Sequence, residues 1–174
     1  NVHISGRQGP DGIIKALSRL SPEARNLITI ENDEMGHGLE KSLELEKHLA
    51  LVLDIHHHWI RDEEYIEATD DRVKRVIDSW RGQRPSMHYS YSRDEHLAVA
   101  GLGEKTHTEM HDIKDLLARG CKKQKLRAHS DLLPNVKVND WALSFGEHFD
   151  IQTEAKGKNM AAEQLYRQHV ENTV

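Results

Sequence analysis

The stretch LVLDIHHH, residues 51–58, decides the fold class of this chain. Its short apolar part is typical of a strand that is buried on both faces, as the strands of parallel sheets are. One carboxylate, Asp54, and three consecutive histidines follow it at once. Because parallel α/β proteins bind their ligands at the carboxyl ends of the strands, these polar side chains lie where chemistry is expected. Histidine and aspartate together suit a divalent metal ion.

Strand-like and helix-like segments alternate on both sides of this stretch. The apolar patterns predict strands at 1–5, 27–30, 51–53, 85–90 and 149–153, and a short extended piece at 126–129. They predict helices at 13–20, 38–49, 62–80, 108–118, 136–145 and 159–170. Repeated units of this kind indicate a parallel sheet with right-handed crossovers, either doubly wound or part of a (β/α)8 barrel. The less regular segment 94–124 is interpreted as an insertion.

Composition excludes several classes of protein. The 174 residues are enough for one domain, and no apolar run approaches the roughly 18 residues that span a bilayer. We therefore expect a cytoplasmic protein without a membrane partner. Cys121 is the single cysteine, which excludes an internal disulfide and a cysteine-based zinc site. The net charge of −5 does not favour nucleic acid, but the basic cluster at 119–127 could contact phosphates or be a solvated surface.

Residues that bind metals recur where the predicted strands end. They are His3, Glu31, Asp54 with the three histidines that follow it, His88, His129 and Glu154. Chance does not readily explain such a series, and a barrel brings the carboxyl ends of its strands together. Imidazoles mixed with carboxylates fit Mn²⁺, Zn²⁺ or Fe²⁺ better than Mg²⁺ or Ca²⁺. More than one ion at such a site would suit phosphodiester hydrolysis.

A rival metal site lies in the proposed insertion. His107 and His111 stand four residues apart, a spacing that would place both on one face of a helix. The pair is not the metalloprotease motif, which requires Glu directly after the first histidine, where this chain has Thr108. A surface helix with two incidental histidines explains the pattern more simply.

Five motifs occur in an order that resembles a known family. They are LITIEND (27–33), DIHHH (54–58), MHYS (87–90), AHSD (128–131) and FDIQTEAK (149–156). This order is similar to that of the UV damage endonuclease family, metal-dependent (β/α)8 TIM-type barrels that nick DNA immediately 5′ to ultraviolet photoproducts. The resemblance implies that residues 1–174 form the carboxyl-terminal part of one such barrel domain, about its last five β/α units. Its implied partner is damaged double-stranded DNA.

The resemblance also implies site residues and cofactors. The implied metal ligands are His3, Glu31, Asp54, His57, His88, His129 and Glu154, holding more than one divalent ion with Mn²⁺ foremost. The implied catalytic residues are Glu31, His129, Glu154 and Lys156, the last as a phosphate contact. Strand alternation alone favours His56 over His57 as a ligand, and the family pattern reverses that choice. His56 and His58 are then expected to orient the ligands or to pack.

Two departures from the family pattern keep other functions open. Ser86 stands where the family has a lysine beside the metals. The family also has earlier strands, with a further histidine ligand and the residues that probe the damaged base pair. Five units cannot close an eight-stranded barrel, so we expect a missing amino-terminal half, supplied by another segment, or self-association. A sugar isomerase-like barrel enzyme and a non-catalytic remnant are the alternatives.

Overall fold

The computed structural model describes residues 1–102 and 106–173. Its strands are β1 (Val2–His3), β2 (Thr29–Glu31), β3 (Ala50–Asp54), β4 (Ser86–Tyr89) and β5 (Asp150–Thr153). Its α-helices are α1 (Gly9–Leu17), α2 (Pro22–Asn26), α3 (Leu39–Leu43), α4 (Ile55–Asp62), α5 (Asp71–Ser79), α6 (Asp94–Leu97), α7 (Ile113–Ala118), α8 (Lys123–Leu126), α9 (Val136–Leu143) and α10 (Asn159–Thr173). Within the described ranges, no helix combines the length and apolar character needed to cross a membrane.

The strands form one parallel sheet whose spatial order follows the chain, β1-β2-β3-β4-β5. Ile30 pairs with Leu51 across β2 and β3, and Met87 pairs with Ile151 across β4 and β5. A doubly wound sheet would reverse its strand order at a switch point, whereas a barrel adds each strand beside the previous one. The observed order is that of part of a (β/α)8 barrel.

The two faces of the sheet differ sharply in polarity. Ile30, Leu53 and Tyr89 point to the helical side and are buried in the hydrophobic core. Their neighbours along the strands, among them Glu31 and Asp54, point to the opposite face, as the two-residue period of a strand requires. The apolar side chains of α5 cover the outer face, and α3 packs beside them. The core therefore lies between sheet and helices, while the inner face carries the polar groups.

The helix predicted at 62–80 is wrong over residues 63–70, because an earlier helix that contains the histidine run ends at Asp62. Asp54 ends β3 and caps α4 by accepting the N–H of His57, so the helix begins directly after the strand. Glu63, with a φ of 62°, ends α4 in the left-handed region. Asp70 then caps α5 by accepting the N–H of Arg72. Two aspartate caps thus divide the segment into two helices.

Three further boundaries differ from the predictions. The helix predicted at 108–118 begins only at Ile113, because Asp112 caps it by accepting the N–H of Lys114. The extended piece predicted at 126–129 is wrong, since α8 occupies its start and only a single antiparallel bridge joins His129 to Ser92. The helix predicted at 38–49 is confined to α3. Residues 103–105 of the proposed insertion lie outside the described residues.

Candidate metal centre

Polar side chains from successive strands converge at the carboxyl edge of the sheet. Glu31 ends β2, Asp54 ends β3, His88 lies near the end of β4, and Glu154 directly follows β5. One ligand atom from each of these four residues lies within 4.8 Å of the corresponding atom of the other three. We call this set of four residues the first group. It contains three carboxylates and one imidazole, a donor set that suits a divalent transition metal.

A second group lies beside the first. It consists of His3 from β1, Glu34 from the loop after β2, and His57 from the first turn of α4, with ligand atoms again within 4.8 Å of one another. Glu31 connects the two groups, because its Oε1 lies 3.3 Å from His57 Nδ1 and its Oε2 lies 3.5 Å from His3 Nε2. Two neighbouring ions could therefore be held with Glu31 between them.

Distances within the first group are short. Glu31 Oε1 lies 3.2 Å from His88 Nδ1, and Glu154 Oε1 lies 3.3 Å from the same nitrogen. Asp54 Oδ2 lies 3.5 Å from His57 Nδ1 in the second group. Seven side chains in two adjoining groups thus present nitrogen and oxygen donors to a common space.

Several of these donors are buried without a hydrogen-bond partner among the described residues. They are Glu31 Oε1, Glu34 Oε2, Asp54 Oδ2 and His88 Nδ1. Leaving a buried polar atom unpaired costs about 1–3 kcal/mol, so four such atoms in one place call for a physical reason. Cations held by the two groups would satisfy all four atoms. The residues present therefore fit a divalent metal centre.

Asn32 fixes the ends of β2 and β3 relative to each other. Its side-chain amide accepts the N–H of Asp54 and donates to the Asp54 carbonyl, both at 2.9 Å. The Asn32 carbonyl lies 3.0 Å from Nδ1 of His57. Because a carbonyl oxygen only accepts, Nδ1 of His57 carries a hydrogen in this contact, which leaves Nε2 as the nitrogen that could bind a metal ion. The Nε2 atom is the one that faces Glu34, at 3.4 Å.

Burial and neighbouring charges shift the pKa values of the ligands. Burial disfavours the charged form of His57, but the charge of Asp54 and the contact with Glu31 outweigh it and raise its pKa to about 10. Burial likewise opposes the charge on His88, yet the contact with Glu31 raises its pKa. Burial raises the pKa of Asp54 to about 7. The pKa of Glu31 is lowered, because its close contacts with the two histidines outweigh its burial.

These pKa shifts predict that metal binding releases protons. Without a metal, His57 holds a proton near neutral pH, the raised pKa of His88 favours its protonated form, and Asp54 is partly protonated. A metal ion must displace those protons, so the apparent affinity should increase as pH rises from about 6 to about 8. Calorimetric titration with Mn²⁺ in two buffers of different ionisation enthalpy measures the protons released. An affinity for Mn²⁺ that does not change with pH would contradict the assignment of these residues as ligands. The control is His148→Gln, which removes an exposed histidine and should release as many protons as the wild type.

His129 and Lys156 are not part of either group. The ring of His129 lies 6.0 Å from the ring of His56, and its side chain hydrogen-bonds to the backbone of Glu154. Burial lowers the pKa of His129. Lys156 is exposed, and its backbone N–H donates to the carbonyl of Ser130. Of the seven predicted ligands the structure brings six together, and the roles of His129 and Lys156 stay predictions.

The other two histidines of the run face elsewhere. His56 lies between two hydroxyls, with Nδ1 2.7 Å from Ser90 Oγ and Nε2 3.0 Å from Ser92 Oγ. His58 is fully buried, and its two ring nitrogens lie 2.9 Å and 3.0 Å from carboxylates of Asp62 and Glu64. Neither belongs to a metal-binding group. Ser86, at the position where the related family has a lysine, has a buried hydroxyl without a hydrogen-bond partner in the described part of the chain.

The sequence reasoning missed Glu34. This residue is buried because Asp33 tightens the loop after β2 by accepting the N–H groups of Met35 and Gly36. Gly36 allows that turn, since a Cβ there would lie 2.8 Å from the Cα of Ser5. The available signal was a further carboxylate three residues after Glu31, at the same strand end. Loop geometry then decides that it turns inward.

The rival pair in the insertion does not form a site. His107 and His111 precede the start of α7, so they do not share a helical face. His107 Nε2 contacts the Asp94 carboxylate at 3.0 Å. His111 is buried and its Nε2 lies 2.9 Å from the carbonyl of Thr106 and 3.0 Å from the Tyr91 hydroxyl. The prediction of a shared helical face is wrong, and these contacts are those of structural histidines.

Part of the basic cluster at 119–127 is neutralised by carboxylates. Arg119 pairs with Asp115 and Lys123 pairs with Glu63, each at 2.8 Å, on partly exposed surfaces. Arg127 differs, because its partner at 2.6 Å is the buried Glu34 of the second group. One basic residue of the cluster therefore reaches the candidate metal centre.

Known proteins resemble this chain in sequence. A protein of Acanthamoeba polyphaga mimivirus is 27% identical over 148 residues, which cover 81% of this chain and 42% of the viral protein. The UV-damage endonuclease of Schizosaccharomyces pombe is 28% identical over 120 residues, which cover 62% of this chain and 20% of the yeast protein. The chain thus spans less than half the length of these curated relatives.

A solved structure shares the fold. The crystal structure of SacUVDE matches with a TM-score of 0.64 and 20% sequence identity, covering 98% of this chain and 50% of that chain. Together with the parallel strand order, this match confirms the predicted α/β barrel-type fold. The family model of UV-endonuclease UvdE matches residues 1–173. This chain therefore belongs to the UV-endonuclease UvdE family.

Proposed function

We propose that this chain carries the metal centre of a metal-dependent DNA repair endonuclease, which nicks the phosphodiester backbone 5′ to ultraviolet photoproducts. The observation that carries the proposal is the convergence of Glu31, Asp54, His88 and Glu154 within 4.8 Å, with buried donor atoms that lack partners among the described residues. Membership of the family and the similarity to the UV-damage endonuclease of Schizosaccharomyces pombe support the choice of DNA as substrate. Mn²⁺ is the proposed ion.

The two groups are proposed to hold separate ions. Glu31, Asp54, His88 and Glu154 would hold one, and His3, Glu34 and His57 would hold the other. Bound divalent ions supply Lewis-acid chemistry, which activates water and stabilises the leaving oxygen of a phosphodiester. Glu31 connects the groups and would fix their spacing.

Two residues outside the groups are proposed to act on the substrate. Burial lowers the pKa of His129 and so favours its neutral form. The neutral imidazole would accept a proton beside Glu154. The exposed ammonium of Lys156 would contact a phosphate of the DNA backbone. Further strands, from another segment of the protein or from a second copy, are proposed to extend the sheet beyond β1 and β5.

The deciding experiment compares ultraviolet-irradiated with undamaged duplex DNA in the presence of Mn²⁺, alongside the metal content of the purified chain. We expect nicks confined to irradiated DNA, each 5′ to a photoproduct, and their loss when a chelator removes the metal. Bound metal with no cleavage under any condition would favour a non-catalytic remnant.

A sugar isomerase is distinguished by a second measurement. DNA binding by a nuclease weakens steeply as salt rises, because counterions compete for the phosphates. An enzyme that acts on neutral sugars would be nearly indifferent to salt and would interconvert an aldose and a ketose. Isomerisation without nicking would overturn the proposed function.

A further inference from the structure

Arg127 lies in a segment that folds back over the carboxyl edge of the sheet. It directly follows α8, and its backbone N–H donates to the carbonyl of Lys123. The next residues are tied to the chain that follows β4, since Arg93 N–H donates to the Ala128 carbonyl and Ser130 N–H donates to that of Tyr91. The position of the arginine is therefore set by backbone contacts on both sides.

The guanidinium of Arg127 is held to the metal centre by one contact. Its Nε lies 2.6 Å from Oε1 of Glu34, whose side chain is 1% exposed, whereas the arginine side chain is 52% exposed. Among the described residues, no other hydrogen bond or ion pair involves this guanidinium. Its two terminal nitrogens therefore retain four N–H donors for a further acceptor. The arginine bridges the buried second group and the solvent.

The second carboxylate oxygen of Glu34 faces His57 rather than Arg127. Its Oε2 lies 3.4 Å from His57 Nε2 and has no hydrogen-bond partner in the described part of the chain. A cation bound by this oxygen would draw off part of the negative charge that holds Arg127. The same event would make the arginine a better partner for an incoming anion. Neither Arg119 nor Lys123 has such a connection, since their partners are more exposed carboxylates.

We propose that Arg127 binds a phosphate of the substrate backbone at the mouth of the metal centre, and that Glu34 holds its side chain in place until then. The proposal rests on the proposed function. A planar guanidinium donates two parallel hydrogen bonds to a phosphate, which a lysine ammonium does not. A centre rich in carboxylates repels a polyanion, so a cation at its mouth also offsets that repulsion.

The test compares Arg127→Gln, Arg127→Lys and the control Arg119→Gln, which removes an arginine of nearly equal exposure from the same segment. Nicking of irradiated duplex is measured in Mn²⁺, and binding of the same duplex is measured in Ca²⁺ at several salt concentrations. We expect Arg127→Gln to slow nicking about 100-fold, by analogy with the loss of one preorganised donor. Its binding should depend less on salt, with a slope lower by about 1. The control should stay near wild type in rate.

Arg127→Lys separates charge from geometry. It should keep the salt dependence of binding and recover only part of the nicking rate, because it lacks the planar pair of donors. If Arg127→Gln matches Arg119→Gln in both rate and salt slope, the proposal is overturned. A changed metal content with an unchanged salt slope would also overturn it, since Arg127 would then only support Glu34. Absence of nicking by the wild-type chain would contradict the proposed function, while the binding measurement would still decide the role of Arg127.

Discussion

Glu31→Gln should abolish metal-dependent nicking and weaken Mn²⁺ binding by more than about 100-fold. The expected effect is large because Glu31 contacts members of both groups, at 3.2 Å to His88 and 3.3 Å to His57. Losing even a residue that only orients a ligand typically costs 10–100-fold in affinity, so the loss of a charged ligand should cost more. Metal content after dialysis and a calorimetric titration with Mn²⁺ measure the change.

The control for this variant is Glu147→Gln, which removes a carboxylate from an exposed position away from the carboxyl edge of the sheet. It should retain both metal and activity. Circular dichroism should show that Glu31→Gln keeps its secondary structure, because glutamine has nearly the same shape as glutamate. Wild-type Mn²⁺ affinity in Glu31→Gln would mean that the converging residues do not form the centre.

Asn32→Ala should lower the free energy of unfolding by about 2–4 kcal/mol. Asn32 is fully buried, and its amide pairs with both the N–H and the carbonyl of Asp54. Alanine would leave the buried N–H unpaired and deprive the carbonyl of one of its donors. Urea denaturation of metal-free protein measures the change, with an unaltered slope indicating that only stability has shifted.

Two further variants define what the Asn32 amide contributes. Asn32→Asp keeps an oxygen that accepts the Asp54 N–H but loses the donor to the carbonyl, and it adds a negative charge beside Glu31, so it should also be destabilised. Asn26→Ala, at an exposed position at the end of α2, should unfold close to the wild-type midpoint. Equal urea midpoints of unfolding for Asn32→Ala and Asn26→Ala would show that the Asn32 amide does not stabilise the packing of β2 against β3.

Much of the sheet could be predicted because strand patterns are local. Short apolar runs that end in polar residues marked β2, β3, β4 and β5, and the structure confirms each of them within about two residues. Helix boundaries were harder, since caps decide them. Asp54 and Asp70 both begin helices, and nothing in the apolar period distinguishes such an aspartate from one in a loop.

The candidate site was predictable where ligands end strands and unpredictable where they depend on the path of loops. Six of the seven residues carried over from the family motifs converge. Glu34 turns inward only because of the tight turn at Gly36, and Arg127 reaches Glu34 only because its segment folds back over the sheet. Both depend on contacts between distant parts of the chain, which a pattern read along the sequence does not contain.

The double role of Asp54 has a consequence for the motions of this region. Its Oδ1 accepts the His57 N–H and begins α4, while its Oδ2 belongs to the converging ligands. Fraying of the first turn of α4 would therefore release the carboxylate and displace His57 in the same step. Local opening of the helix and disassembly of the ligand geometry are one event, with one equilibrium constant. The exchange of a single backbone amide hydrogen, that of His57, thus reports the fraction of molecules in which the centre is disassembled.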